Sequence, residues 1–144
     1  MATFSDLGIS KSYIKALKEL NIIRPTKIQE AVIPTLLETK TDLIGLAQTG
    51  TGKTAAFGLP LLNAIDDNKA EVQGLIIAPT RELVQQIKKQ LFKFTKYLDE
   101  PIFAEGVYGG EKITRQIKAL TRPTHIVVAT PGRLLDLIER GAVD

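Results

Sequence analysis

The sequence predicts an α/β protein: an open parallel sheet with helices on both faces, forming three layers. From residue 42 onward, short apolar runs alternate with amphipathic segments, which is the pattern of strand–helix–strand units. The runs are rich in Ile, Leu and Val and lack polar alternation, as expected for strands covered on both faces. Ligands of such sheets bind beyond the carboxyl ends of the strands, so the loops at that edge are the expected binding region.

Length and composition limit the possible classes of protein. A chain of 144 residues is long enough for one domain with a core. It contains no cysteine, which excludes disulfides and thiolate metal sites and suits a reducing compartment, so we expect a cytoplasmic location. No secretory signal and no apolar run of about 18 residues is present, so we expect no membrane contact. The net charge of +3 permits a polyanionic partner.

Two helices are predicted before the sheet, in a helical region covering residues 1–38. The first spans Ser10 to Leu20 with Ser10 as its N-cap, and the second spans Thr26 to Leu37 with Pro34 in its interior. The α/β core is then predicted over residues 42–144. Its predicted strands are 42–47, 73–78, 102–108 and 126–129, and its predicted helices are 53–65, 79–98, 111–120 and 134–140, with Gly141 capping the last.

A phosphate-binding loop is predicted between the first strand and the helix that follows it. Residues 47–54 read Ala-Gln-Thr-Gly-Thr-Gly-Lys-Thr. Gly50 and Gly52 allow a tight loop whose backbone N–H groups face one centre, at the positive end of the helix. Lys53 can reach the β- and γ-phosphates, and the Thr54 hydroxyl can bind Mg²⁺. The alternative is a glycine-rich turn with an exposed lysine.

Gln29 has two possible roles. Its carboxamide can accept a hydrogen bond from adenine N6 and donate one to N7, which would select ATP over GTP. Thr26 and Gln29 also have the spacing of a capping box, and the local sequence alone favours this structural role.

The loops after the later strands carry residues suited to a single-stranded phosphate backbone. Arg81 and Arg133 each follow a strand and stand near a helix start, and Gly109-Gly110 would allow close approach of a polymer. Alternatively, Arg81 forms an ion pair with Glu82 or another acid, and the glycines form a simple turn. We interpret Lys88, Lys89, Lys93 and Lys96 as a solvated helix face, and His125 as a strand-edge residue.

Taken together, these motifs resemble the N-terminal part of DEAD-box ATP-dependent RNA helicases. Residues 24–29, 47–54, 79–83, 109–110 and 130–133 match five motifs of that family in order, and Phe4 stands where an upstream aromatic is expected. The resemblance implies a RecA-like P-loop domain, ATP and Mg²⁺ as cofactors, and a single-stranded RNA or short RNA duplex as partner. It assigns catalytic roles to Lys53 and Thr54 and makes Gln29 the residue that recognises adenine.

Nucleotide contacts are implied for Phe4, Thr26, Gln29, Gln48, Thr49, Gly50, Thr51, Gly52, Lys53 and Thr54. RNA contacts are implied for Pro79, Thr80, Arg81, Gly109, Gly110, Thr130, Pro131, Gly132 and Arg133.

The resemblance also implies missing parts. The sequence ends at Asp144 before any Asp-Glu-Ala-Asp, Ser-Ala-Thr motif or second helicase domain. We therefore expect residues 1–144 to be a truncated, incomplete RecA-like domain, with open strand edges that favour self-association or strand swapping. Three hypotheses follow: part of an ATP-dependent RNA helicase, a catalytically inactive nucleotide- and RNA-binding fragment, or a P-loop enzyme acting on a small molecule. The RNA motifs argue against the third.

Overall fold

The structure is a computed structural model that describes residues 2–47 and 52–143. The chain forms two compact units. We call Met1–Ala64 with Lys93–Asp99 the N-terminal unit, and Ile65–Phe92 with Glu100–Asp144 the sheet unit.

The described part of the N-terminal unit contains the whole of three helices: α1 (Lys11–Glu19), α2 (Lys27–Glu38) and α3 (Lys53–Ala64). Each lies where the sequence predicts it, within one or two residues. Ser10 stands at the N-cap of α1 in extended conformation, although its side chain makes no capping bond there. Pro34 lies inside α2 as predicted. The core of this unit is apolar and includes Phe4, Tyr13, Ala16, Leu17, Val32, Ile33, Ala55, Ala56, Leu59 and Leu62.

The predicted strand at residues 42–47 is wrong, because this segment has no regular secondary structure. Ile44 and Leu46 are 90% and 89% exposed. Gly45 lies against α2, where an added Cβ would be 3.3 Å from the Ile28 side chain. A strand forms only when a neighbouring strand satisfies its backbone groups. The described strands pair only with one another.

The sheet unit contains three parallel strands instead of the four predicted. They are β1 (Gly74–Ile77), β2 (Ala104–Val107) and β3 (Ile126–Ala129), in the order β1-β3-β2. Ile77 and Val107 both stand opposite Ala129, so the three strands end at the same level. The predicted parallel α/β class is confirmed.

Helices cover the sheet on both faces: α4 (Arg81–Phe94), α5 (Ile113–Leu120) and α6 (Pro131–Glu139). One face packs against α5 and α6 through a core of Val107, Val127, Ala129, Leu134 and Leu137, with Ile113, Ile117 and Leu120 beside it. The next position on β2 faces α4, because a Cβ added at Gly106 would lie 3.2 Å from Val84. The three-layer prediction is therefore confirmed within this unit.

Several local predictions need correction. β3 is buried on both faces, as expected for a central strand, but the edge strand β1 exposes Leu75 and Ile77. The last helix begins at Pro131 instead of residue 134, because proline is well suited to a first helical position. Gly141 follows that helix with φ +72°, which agrees with its predicted capping role.

Candidate functional site

Gln29 joins the start of α2 to the residue that precedes α3. Its Oε1 accepts from the Thr26 backbone N–H at 2.9 Å, and its own backbone N–H donates to Thr26 Oγ1 at 3.4 Å. The predicted capping box is therefore confirmed. The Gln29 Nε2 also donates to the Gly52 carbonyl at 3.1 Å, and the side chain is almost fully buried. One amide thus caps α2 and binds the backbone of the residue that precedes α3.

Helix α3 begins directly after a glycine in the left-handed region. Gly52 has φ +85°, and α3 begins at Lys53 immediately after it. The Gly52 carbonyl also accepts from the Ala56 N–H at 3.2 Å, a bond of the first turn of the helix. Lys53 is exposed and Thr54 is half-buried in the first turn. The remaining predicted loop residues lie outside the described ones: Gln48, Thr49, Gly50 and Thr51.

Phe4 is buried in the N-terminal unit, with 2% of its surface exposed. It begins a turn in which Thr3 and Asp6 exchange hydrogen bonds: the Thr3 N–H donates to Asp6 Oδ2 at 2.8 Å, and the Asp6 N–H donates to Thr3 Oγ1 at 3.2 Å. The pKa of Asp6 is lowered, first by the Thr3 backbone N–H bond to its carboxylate and second by a side-chain hydrogen bond from Thr3. The structure therefore uses Phe4 as a core residue, and its role toward adenine stays a prediction.

The carboxyl ends of the three strands gather three predicted motifs at one edge of the sheet. Residues 79–81 follow β1, Gly109-Gly110 follows β2, and residues 130–133 follow β3. Thr80 caps α4, because its Oγ1 accepts from the Leu83 N–H at 3.2 Å. The Thr130 backbone N–H donates to the Val107 carbonyl at 3.1 Å, which ties two of these loops together. Pro79, Gly109, Pro131 and Gly132 are exposed.

Arg81 lies across the aromatic ring of Tyr108, with its guanidinium carbon 5.2 Å from the ring centroid. Its Nη2 is 3.7 Å from Glu111 Oε1, so the predicted ion pair with an acid exists, and Glu111 is the partner in place of Glu82. The Tyr108 hydroxyl is held from α4 by Gln85 Nε2 at 3.0 Å. Gly110 has φ +88°, and a Cβ there would lie 3.4 Å from Arg81 Nη1. The glycine pair therefore forms a turn directly beside the guanidinium.

Arg133 makes its hydrogen bonds toward the protein. Its Nη1 donates to the Glu111 carbonyl at 3.1 Å and to Gln116 Oε1 at 2.9 Å. Gln116 is buried on α5, and its Nε2 donates to the Tyr108 carbonyl at 3.0 Å. Arg133 and Gln116 thus fix both sides of the Gly109-Gly110 turn from two helices.

Tyr108, Glu111 and Gln116 are site residues that the sequence analysis missed. Gln116 had a detectable signal, because it lies three residues after Ile113, on the face of α5 that otherwise carries apolar side chains. A polar residue at such a position usually binds another polar group. Glu111 had no comparable signal, since its partner Arg81 is 30 positions away in the sequence.

The lysines predicted to form a solvated helix face, and His125, lie outside this cluster of loops. Lys88 and Lys96 lie on solvated surfaces and pair with Glu105 and Glu19, at 3.6 Å and 2.9 Å. His125 is buried next to β3, stacks on Phe103, and accepts the Phe103 N–H on its Nδ1 at 3.0 Å. It therefore serves the fold at the amino end of the sheet.

Similarity to known proteins decides the family of this chain. The family model described as DEAD/DEAH box helicase matches residues 26–144. The chain belongs to the DEAD/DEAH box helicase family. The "DEAD-box ATP-dependent RNA helicase CshA" of Bacillus cereus is 50% identical over 140 residues, and the protein of that name from Streptococcus pneumoniae is 49% identical. Each match covers 97% of this chain and 26% of the relative, so the chain spans about a quarter of these relatives.

Solved structures of DEAD-box proteins share the fold. A DEAD box protein from Methanococcus jannaschii superposes with a TM-score of 0.90 at 36% identity, covering 99% of this chain and 38% of that one. Dbp5 of S. cerevisiae, "bound to RNA and ADP BeF3", superposes with a TM-score of 0.87 at 30% identity, covering 100% of this chain and 36% of its own. The RecA-like fold class implied by the motifs is therefore confirmed for this DEAD-box chain. None of the helices within residues 2–47 and 52–143 has the length and apolar character needed to cross a bilayer.

Proposed function

We propose that this chain is the ATP- and RNA-binding part of an ATP-dependent RNA helicase, with residues 1–144 forming part of its first RecA-like domain. The observation that carries the proposal is that the three strands end at the same level. The loops after them therefore bring Arg81, Gly109-Gly110 and Arg133 to one edge of the sheet. Membership of the DEAD-box family supports it, as do the names of the relatives. Hydrolysis of ATP and opening of RNA duplexes are proposed for the whole protein, which we expect to act in the cytoplasm.

ATP is proposed to bind at the start of α3. Lys53 would interact with the β- and γ-phosphates, and the dipole of α3 would favour the same charge. The described residues contain no group of three metal-ligating side chains. A Mg²⁺ held by the Thr54 hydroxyl and by nucleotide oxygens fits such a site, because Mg²⁺ commonly takes most of its ligands from phosphates and water. Beyond its bonds to the described residues Thr26 and Gly52, the Gln29 amide has one further N–H and one further lone pair, and these are proposed to read adenine.

RNA is proposed to bind along the carboxyl edge of the sheet. Arg81 is the main phosphate ligand in this proposal, because its guanidinium is half-exposed and oriented by Tyr108. Arg133 is already bonded to Glu111 and Gln116, so it acts chiefly by shaping the glycine turn. Thr80 and Thr130 offer hydroxyls at the same edge.

The nucleotide part is tested with a fluorescent ATP analogue, displaced by ATP or GTP. Lys53→Ala removes a charge-assisted bond worth about 1.5–3 kcal/mol, so affinity should fall about tenfold or more. Lys11→Ala removes an exposed lysine of α1 and should leave affinity nearly unchanged. Displacement by ATP and GTP at equal concentrations would contradict the role of Gln29, and unchanged affinity in Lys53→Ala would contradict the loop assignment.

The RNA part is tested by fluorescence anisotropy with a single-stranded RNA and an ATP analogue. Arg81→Ala should weaken binding about tenfold and lower the slope of log K against log salt by about 0.7 if one phosphate contact is lost. Arg122→Ala is the matched control, because Arg122 is exposed at the opposite, amino end of β3. Equal losses for the two variants would contradict an RNA surface at the carboxyl edge.

A further inference from the structure

We propose that the Glu111 carboxylate is a built-in competitor for RNA: it occupies the Arg81 guanidinium in the free protein and must give way to an RNA phosphate. The inference rests on the proposed function and adds to it a residue that sets how tightly RNA is held. Its basis is a set of contacts within the sheet unit that places one acid between two arginines.

The Arg81 guanidinium is oriented before any ligand arrives. Tyr108 supports one face of its plane, and the Tyr108 hydroxyl is itself fixed by Gln85. Gly110 lies next to the guanidinium, because a Cβ added there would be in contact with Nη1 at 3.4 Å. A planar fork held in this way is suited to an oxyanion, because carboxylates and phosphates accept the same parallel N–H bonds.

Glu111 supplies that oxyanion from within the chain. Its Oε1 is 3.7 Å from Arg81 Nη2, and its Oε2 is 3.9 Å from Arg115 Nη1. Both distances are too long for strong hydrogen bonds, and the Glu111 side chain is 32% exposed. Such a pair contributes little to stability, so an incoming phosphate can replace it at small cost.

The backbone of Glu111 cannot simply move away. Arg133 Nη1 binds its carbonyl at 3.1 Å, and the same nitrogen is bonded to the buried Gln116. The carboxylate therefore stays tethered next to Arg81, and only side-chain rotation can release the guanidinium. A tethered acid competes at high effective concentration. It therefore weakens the binding of any RNA phosphate to Arg81 and speeds the release of that phosphate.

The test measures RNA affinity of the full chain, using the same single-stranded RNA and ATP analogue. Glu111→Gln removes the competing charge and should tighten RNA binding about two- to fivefold, the range expected for an exposed ion pair. Glu111→Ala removes the side chain as well and should tighten binding at least as much. Glu105→Gln is the matched control, because it removes the same charge from β2, where Glu105 pairs with Lys88.

The direction of the change separates competition from a structural role. If Glu111 only orients Arg81, both variants bind RNA more weakly, which overturns the inference. Tightening no greater than that of Glu105→Gln also overturns it, since overall charge would then explain the effect. Glu111→Gln should have no additional effect in an Arg81→Ala background, and an undiminished effect there would count against Arg81 as the contested group. If Arg81→Ala itself leaves RNA affinity unchanged, the proposed RNA surface fails first.

Discussion

The Gln29 side chain connects two parts of the N-terminal unit. Its two amide atoms bond Thr26 and Gly52, which are 3 and 23 positions away. The first bond follows from the spacing of a capping box and was predictable from the sequence. The second depends on how α2 and α3 pack, so no local pattern could reveal it. The same distinction explains why Glu111 and Gln116 were missed, since their partners come from other elements.

Gly52 is a position where a single methyl group should be costly. A Cβ there would collide with Gln29 Nε2, and φ +85° is strained for any residue other than glycine. The strain costs about 1–2 kcal/mol, and displacement of the Gln29 bond costs about 1 kcal/mol more. Gly52→Ala should therefore lower the free energy of unfolding by about 2–3 kcal/mol in urea titrations. Gly132→Ala adds a methyl into open space within α6 and should not destabilise. Equal stability of the two variants would contradict this account.

At the scale of elements, helices were easier to predict than strands. The period of apolar residues located all six helices of the described chain, because a helix satisfies its own backbone bonds. A strand depends on hydrogen bonds to a neighbouring strand, and its own sequence does not show which segment that neighbour will be. Residues 42–47 have the composition of a strand and form none, whereas Ile126–Ala129 is buried between two neighbours. The sequence therefore predicted the class and the three paired strands, but could not reveal which apolar run would remain unpaired.

Helix α1 is tied to Lys96 and Tyr97 by a cluster of polar contacts around Glu19. Glu19 accepts hydrogen bonds from the Tyr97 hydroxyl and from Lys96 Nζ, and Lys15 lies 4.3 Å from the centre of the Tyr97 ring. The Tyr97 hydrogen bond is the main cause that lowers the pKa of Glu19, with Lys96 second. The same contact with Glu19 raises the pKa of both Tyr97 and Lys96.

The pH dependence of stability follows from these directions. Because the pKa of Glu19 is lower in the folded state, its contribution is present above the unperturbed value of about 4.3 and is lost as pH falls through the folded value. The contributions of Tyr97 and Lys96 are lost as pH rises through their raised pKa values, above about pH 10.

The difference in unfolding free energy between the unmodified chain and Glu19→Gln should therefore be constant near neutral pH and shrink below about pH 4.3. Glu38→Gln, an exposed carboxylate on α2, controls for overall charge. A difference that persists unchanged at pH 3 would show that the cluster is not electrostatic.

For the whole molecule, we expect the exposed apolar residues of β1 to favour self-association. β1 is an edge strand of the sheet, and its Leu75 and Ile77 are 48% and 56% exposed on the same face. An unpaired strand edge next to exposed apolar side chains is a common site of pairing between chains.

We expect the average mass measured by light scattering to rise with protein concentration. Leu75→Gln should reduce that rise, whereas Leu135→Gln, the same change at an exposed position of α6, should reduce it less. A constant monomer mass at every concentration would contradict the expectation. Equal effects of the two substitutions would show that general surface hydrophobicity drives association and that the β1 edge has no special part in it.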